Sequence, residues 1–412
     1  MYRTGESASS IRKTVEFDLE NLTDDSDDDH HERATKYAPH GGLTAVSPRR
    51  FRKYAIIVAL VVFVIWLIGH RSRLPPGSSP HLRYESIDWS QYAYSQYVTD
   101  SSYLCNAVMV FEALDRLGSR AQRVLYYPES WDTTVEHAKD RDSQLLNLAR
   151  DKYKVQLVPV PLQYIDRHSK EGVESRDFSI SKFYAFRETQ YRRILHLDSD
   201  VIIRQNLDEL FFLPSAPVAM PRAYQDWPRS HKLAPFLVLI EPSYREWRAL
   251  MDAVEPAKHG QMADDGGRDT YDVQLLNDRY GNSALVLPHR QYGLVTGEFR
   301  TKDHRLFLGN DYEEWNPDKA LGEAKVIHFS DWPLPKPWIM WPQGQLANML
   351  PKCDNNPGTP KESGCRDRDV WLGLYDDFRQ RRKDICKLLS YPAPDWPPRE
   401  GQEWTGMTPA SP

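Results

Sequence analysis

The chain has 412 residues, with 53 Lys+Arg against 58 Asp+Glu and a net charge of −5, which argues against a strongly basic nucleic-acid binder. Hydrophobic residues make up 40% and supply a core, so a wholly disordered protein is excluded; 4 Cys are too few for a disulfide-built scaffold or a Cys-rich zinc module. A mean hydropathy of −0.64 excludes a multi-span membrane protein but leaves room for one span.

Residues 1–48 carry the acidic run Asp24-Asp25-Ser26-Asp27-Asp28-Asp29 with no apolar periodicity, and read as a disordered tail. Arg49, Arg50, Arg52 and Lys53 then precede an uncharged run from Tyr54 to Gly69. That run is somewhat shorter than the ~20 residues a bilayer core usually needs. It begins far from the N-terminus and is followed by no small-x-small cleavage site, so residues 49–69 read as a basic flank and a single transmembrane anchor rather than a cleaved signal. Basic residues concentrated before the span put the tail in the cytosol and the long C-terminal part across the membrane. The sequon Asn21-Leu22-Thr23 falls on the cytosolic side, so no N-glycan is expected. Residues 70–87, with Leu74-Pro75-Pro76-Gly77-Ser78-Ser79-Pro80, read as a stem.

From 88 to 390 the pattern is that of an α/β domain. Strands are expected at Tyr92–Val98, Val124–Tyr127, Val155–Val160 and Arg193–Leu197. Helices are expected at Leu104–Leu117, closed by Gly118, at 140–152 and at Phe183–Tyr191. Further short apolar runs follow at Val218–Met220, Phe236–Ile240, Ala284–Leu287 and Lys325–Phe329. The alternation implies a mostly parallel central sheet flanked by helices. Residues 391–412 form a Pro-rich tail. In an oxidising lumen, Cys353 and Cys365 are the best disulfide candidates, with the other pairings left open.

Three clusters carry chemistry. Arg193–Leu197 ends abruptly in Asp198-Ser199-Asp200. Ligands of open α/β sheets sit at strand C-termini, and two adjacent carboxylates there repel and need a cation. A hard divalent ion completed by phosphate oxygens satisfies that need; an Asp-rich turn is the plainer alternative. Lys325–Phe329 carries His328, followed by Lys336-Pro337-Trp338. Lys is a point charge for phosphate, and an imidazole ligand favours Mn²⁺ over strict Mg²⁺. Thr99-Asp100-Ser101-Ser102-Tyr103 closes the first strand and opens the first helix, offering polar groups to a base and ribose, or an N-cap from Asp100 or Ser101.

Taken in order over about 95–340, these segments resemble a retaining glycosyltransferase of family 8, the glycogenin-like group with the GT-A fold. Thr99–Tyr103 resembles the nucleotide-gripping turn, with Thr99, Asp100 and Tyr103 facing the nucleotide. Lys182, in Ser181-Lys182-Phe183, stands where the family places a Lys near the donor. Asp198-Ser199-Asp200 resembles the Asp-x-Asp motif, and Asn206-Leu207-Asp208-Glu209-Leu210-Phe211 its usual sequel. Tyr271-Asp272-Val273-Gln274-Leu275-Leu276-Asn277 resembles the Asp-Gln-x-x-Leu-Asn segment near the sugar, and His328 with Lys336-Pro337-Trp338 the closing metal-and-phosphate motif.

The chain is most similar to the fungal Golgi α-N-acetylglucosaminyltransferases, through Trp89–Leu117, Leu287-Pro288-His289-Arg290 and Thr296-Gly297-Glu298-Phe299. The resemblance implies a UDP-sugar donor, an oligosaccharide or glycoprotein acceptor and no nucleic-acid partner. It also implies a Golgi membrane location with the catalytic domain luminal. Asp198, Asp200 and His328 would hold Mn²⁺; Ser199, Lys182 and Lys336 would serve the nucleotide and diphosphate. Asp272 would be catalytic, orienting the sugar or stabilising its positive charge, unless it is only a helix N-cap. Two departures fall near the donor sugar. Leu233-Ala234-Pro235 replaces an Asn-Ser-Gly stretch, and Val273 stands where Gln is usual. A metal-dependent phosphohydrolase and a non-catalytic sugar-nucleotide or glycan-binding member of the fold are the alternatives. Trp227, Trp332 and Trp338 are candidates for stacking on acceptor sugars, or are core, the reading favoured for Trp338.

Overall fold

The computed structural model describes residues 59–64, 66, 87–137, 140–163, 175–258, 271–331, 336–340, 350–351, 366–387 and 391–392. The chain divides into two units, Met1–Arg83 and Tyr84–Pro412. In the first, residues 59–64 and 66 are helical, and Leu60, Val61, Val62, Phe63, Val64 and Trp66 are exposed. No helix among the described residues is long and apolar enough to cross a membrane. The rest of the expected anchor, the acidic tail, the stem as far as 86 and the Pro-rich end from 393 lie outside the described residues.

The second unit is built on a seven-stranded sheet. Its strands are β1 (Tyr92–Tyr97), β2 (Gln122–Pro128), β3 (Val155–Val160), β4 (Arg193–Leu197), β6 (Val218–Pro221), β7 (Leu237–Ile240) and β8 (Leu285–Leu287). The order is β3-β2-β1-β4-β7-β6-β8. β7 alone runs antiparallel to its neighbours, so the expected mostly parallel sheet is present. A second sheet of β5 (Val201–Ile203), β9 (Leu294–Val295) and β10 (Val326–His328) was not legible as such. The run at Lys325–Phe329 belongs to this small sheet, where β10 lies antiparallel to β5.

Helices cover both faces of the large sheet. On one side lie α1 (Ser101–Arg116), α2 (Arg141–Tyr153), the small sheet and α5 (Arg366–Cys386), sharing a core that includes Leu104, Phe111, Leu146, Phe329 and Trp371. On the other lie the 3₁₀ segment Ser175–Arg187, α3 (Tyr244–Lys258) and α4 (Tyr271–Tyr280), packed on Ala93, Ile194 and Val238. The helix expected at Phe183–Tyr191 is this 3₁₀ segment, which ends at Arg187. α1 starts where Asp100 caps it and ends at Gly118, whose φ of +71 is open to glycine without strain. The Asn206–Phe211 sequel is a structural lock. Buried Asp208 accepts hydrogen bonds from Tyr94 Oη (2.7 Å), Ser119 Oγ (2.8 Å) and the Arg120 amide (3.0 Å), tying β1 to the turn after α1.

One disulfide is present among the described residues. Cys105 in α1 is bonded to Cys386 at the end of α5, 281 residues away. Cys353 and Cys365 lie outside the described residues. The bond joins residues far apart in sequence because α5 packs on α1. A bridge closing so long a loop removes much unfolded-chain entropy, so Cys105→Ser/Cys386→Ser is expected to cost about 2–4 kcal/mol. Urea unfolding of oxidised, reduced and variant protein checks this: reduced wild type and the variant should share one lowered midpoint.

Candidate active site at the ends of β1 and β4

β1 and β4 are neighbours and parallel, with Ser95 opposite His196, so their C-termini open on the same edge. The Thr99–Tyr103 turn and Asp198-Ser199-Asp200 therefore emerge side by side. The two aspartates face different partners. Lys182 Nζ lies 2.9 Å from Asp198 Oδ1 and 2.6 Å from Asp272 Oδ2, and donates to the Pro235 carbonyl at 3.1 Å. Lys336 Nζ lies 2.7 Å from Asp200 Oδ2 and also donates to the Phe329 carbonyl. His328 Nε2 is 3.3 Å from the same Asp200 oxygen, and its ring stacks on Phe236 at 4.6 Å, which fixes its plane.

Charge explains this arrangement. Burial pushes the Lys182 ammonium down, but Asp198 and Asp272 outweigh burial and hold it above the ordinary lysine value. Burial pushes Asp200 up, yet Lys336 and His328 overcome it and hold the carboxyl far below the usual carboxylate range. Beneath them, His196 is wholly buried, with Nδ1 3.0 Å from Ser95 Oγ and Nε2 3.6 Å from Asp198 Oδ1. Burial holds its imidazole below its usual value. Sequence reading overlooked His196; its signal was a histidine inside an otherwise apolar strand, pointing to the same face as Ser95.

Asp100 caps α1, accepting from the Ser102 and Tyr103 amides at 2.8 and 3.2 Å, while Thr99 Oγ1 donates to its other oxygen at 3.3 Å. Tyr103 packs edge-on against Trp338 with ring centroids 5.4 Å apart, and Ser199 is buried. Asp272 lies in the first turn of α4, buried against Lys182. The proposed metal set is divided: Asp200 and His328 are together, while Asp198 is held by Lys182. Among the described residues no group of three or more His, Cys, Asp or Glu is gathered to hold a metal ion. The donor chemistry nevertheless fits a hard divalent ion, with two carboxylates and an oriented imidazole at one strand edge. Lys336 supplies the compensating charge on Asp200 in this arrangement.

The first departure, Leu233-Ala234-Pro235, has a structural account. Leu233 is clasped by Asn277: its amide donates to Asn277 Oδ1 (2.8 Å) and its carbonyl accepts from Nδ2 (2.9 Å). Pro235 offers its carbonyl to Lys182. The backbone thus supplies polar groups where the side chains of Leu233-Ala234-Pro235 have none. Trp338 is core at 3% exposure, whereas Trp227 is 39% exposed, with the Arg222 guanidinium over its ring at 4.7 Å. Trp332 lies outside the described residues.

Comparison with known proteins agrees with these motifs. The chain is 58% identical over 353 residues to Glucose N-acetyltransferase 1 of Aspergillus fumigatus, covering 85% of this chain and 91% of that protein. The chain belongs to the glucose N-acetyltransferase 1 family. It is a glycosyltransferase of the family 8 kind, related to fungal N-acetylglucosaminyltransferases. A stretch of 172 residues is 32% identical to Glycogenin-1 of Caenorhabditis elegans, covering 40% of this chain and 34% of that one. Among solved structures, the glycosyltransferase GlyE of Streptococcus pneumoniae aligns with a TM-score of 0.42 and 15% identity, over 74% of this chain and 66% of that one. No family model matches the chain.

Lys182 is the electrostatic keystone of the buried half of this site. Lys182→Met would strand two carboxylates against a low-dielectric core, at a cost of about 3–5 kcal/mol. Adding Asp272→Asn should restore part of that stability, and thermal unfolding of the single and double variants measures the recovery.

Proposed function

We propose that this glycosyltransferase moves N-acetylglucosamine from UDP-N-acetylglucosamine to a hydroxyl of a mannose-containing glycan, with retention at the anomeric carbon and dependence on Mn²⁺. The observation that carries the reading is the pair of lysine–aspartate contacts at the joined ends of β1 and β4, beside the capped turn of α1. A site that already balances two carboxylates with two ammonium groups is suited to exchanging one of them for a cation and a diphosphate. The name carried by the Aspergillus fumigatus relative supports the choice of sugar.

Asp198, Asp200 and His328 would hold the metal, which when bound would neutralise diphosphate oxygens and stabilise charge on the departing UDP. The chain's own groups divide the remaining work. Lys336 is partly exposed and is released from Asp200 to meet the phosphates. Lys182 is wholly enclosed, so it acts by holding Asp198 and Asp272 in place. Asp272 then presents a fixed carboxylate to the sugar, orienting it and opposing positive charge as the glycosidic bond to UDP breaks. Thr99 and Tyr103 flank the nucleotide. Trp227, exposed on the 222–233 segment that rises from the same sheet edge, offers an aromatic face to an acceptor sugar.

In this reading the enzyme is a single-pass type II protein of the Golgi membrane, with the second unit luminal. The basic flank at 49–53 and the uncharged run to Gly69 support that topology. The test is UDP release from UDP-N-acetylglucosamine by wild type and Asp200→Asn, with Mn²⁺ and with chelator. Wild type should release UDP only with the metal, and Asp200→Asn should lose about 100-fold or more in rate, the scale of removing one electrostatic stabiliser. Wild-type turnover by Asp200→Asn with Mn²⁺ would defeat the assignment.

A further inference from the structure

The long helix α5 lies behind the site, contributes no group to the chemistry above, and touches both walls of it. Arg382 is wholly buried, and its Nη1 donates to the Ser102 carbonyl at 3.0 Å and to Asn106 Oδ1 at 2.5 Å. Ser102 belongs to the first turn of α1, within the Thr99–Tyr103 segment. One turn earlier on α5, Arg379 Nε donates to the Pro337 carbonyl at 3.1 Å, next to Lys336. Next to Arg379, Phe378 packs against Phe329 (5.1 Å) and Trp338 (5.8 Å), and Trp338 in turn meets Tyr103. Closer to its start, Trp371 Nε1 and Tyr375 Oη both donate to buried Asp331, at 3.0 and 2.8 Å.

These contacts fall at 371, 375, 378, 379 and 382, the three-and-four spacing of one helical face. The bond from Cys386 to Cys105 fixes the register of that face against α1. A buried guanidinium is costly unless its partners are good, so Arg382 is a specific tie. The two donor-site walls are far apart in sequence, and the segments joining them are long. A single rigid helix holding a carbonyl on each wall sets their separation more sharply than those segments do.

We propose that α5 is a brace for the donor site, with Arg379 and Arg382 as positioning residues that hold the Thr99–Tyr103 turn and the Lys336–Trp338 segment at the separation a nucleoside diphosphate needs. The proposal rests on the UDP-sugar reading of the site. It is tested on the full chain by UDP titration calorimetry and by KM and kcat for UDP-N-acetylglucosamine in Arg379→Ala, Arg382→Lys and Arg381→Ala. Arg381 is the control: it lies on the same helix but pairs with Glu112 on α1, away from both walls. Arg379 is partly exposed, so its alanine variant keeps the fold even if a change at Arg382 does not.

The expected result is a rise of about tenfold in UDP Kd and in KM for Arg379→Ala and Arg382→Lys, with kcat changed by less than about threefold and Arg381→Ala unchanged. Unaltered UDP affinity in folded Arg379→Ala would overturn the brace. Equal weakening in Arg381→Ala would overturn it too, because the effect would then be general loosening. A wild-type chain that binds no UDP with Mn²⁺ present would instead overturn the donor reading, and the brace with it.

Discussion

Two carboxylates separated by one residue at the end of a buried strand cannot both stay ionised unless positive charge is brought to them. The rest of the domain is arranged around that demand. Lys182 arrives from the 3₁₀ segment on one face of the sheet, and Lys336 and His328 arrive from the small sheet and its sequel on the other. Each aspartate is thereby neutralised from its own side. Asp198 and Asp200 therefore belong to different clusters: the first shares enclosed Lys182 with Asp272, while the second faces the partly exposed Lys336 ammonium.

The two lysines differ in exposure: Lys182 is buried and Lys336 is partly exposed. A wholly buried ammonium between two carboxylates is a structural cation, costly to remove and poorly placed to follow a substrate. A partly exposed ammonium on a long flexible stem is a mobile point charge. Sequence reading gave both lysines the same task beside the donor. The structure separates them by burial: Lys182 is enclosed between Asp198 and Asp272, while Lys336 is partly exposed against Asp200. Behind the site, Asp208, Arg382 and the Cys105–Cys386 bond anchor α1, whose N-terminus forms the neighbouring wall.

Much of this was legible in the residues. β3 and β4 have the bounds their apolar runs imply, and α1 ends at the glycine expected to close it. The Asp-x-Asp turn, Lys182, Asp272, His328 and Lys336 are drawn to one sheet edge although they span more than a third of the chain. Other features were hidden for identifiable reasons. β5 and β9 have three and two residues, too short for a two-residue period to register. The helix α5 is rich in charge, and its apolar stripe of Val370, Trp371, Leu374, Tyr375 and Phe378 is diluted by Arg and Asp on the other face. The Cys105–Cys386 bond depends on that helix, so missing the helix meant missing the bond. The backbone roles of Leu233 and Pro235 cannot be read from side-chain identity at all.

Lys336 Nζ lies 2.7 Å from Asp200 Oδ2, and we propose that this ammonium and a divalent cation compete for that carboxylate. Mn²⁺ titration followed by electron paramagnetic resonance, without nucleotide, on wild type and Lys336→Met tests it most directly. Removing the competing ammonium should tighten Mn²⁺ binding about tenfold, since like charge at one carboxylate is a direct electrostatic competitor. Equal or weaker Mn²⁺ binding by Lys336→Met would contradict the account.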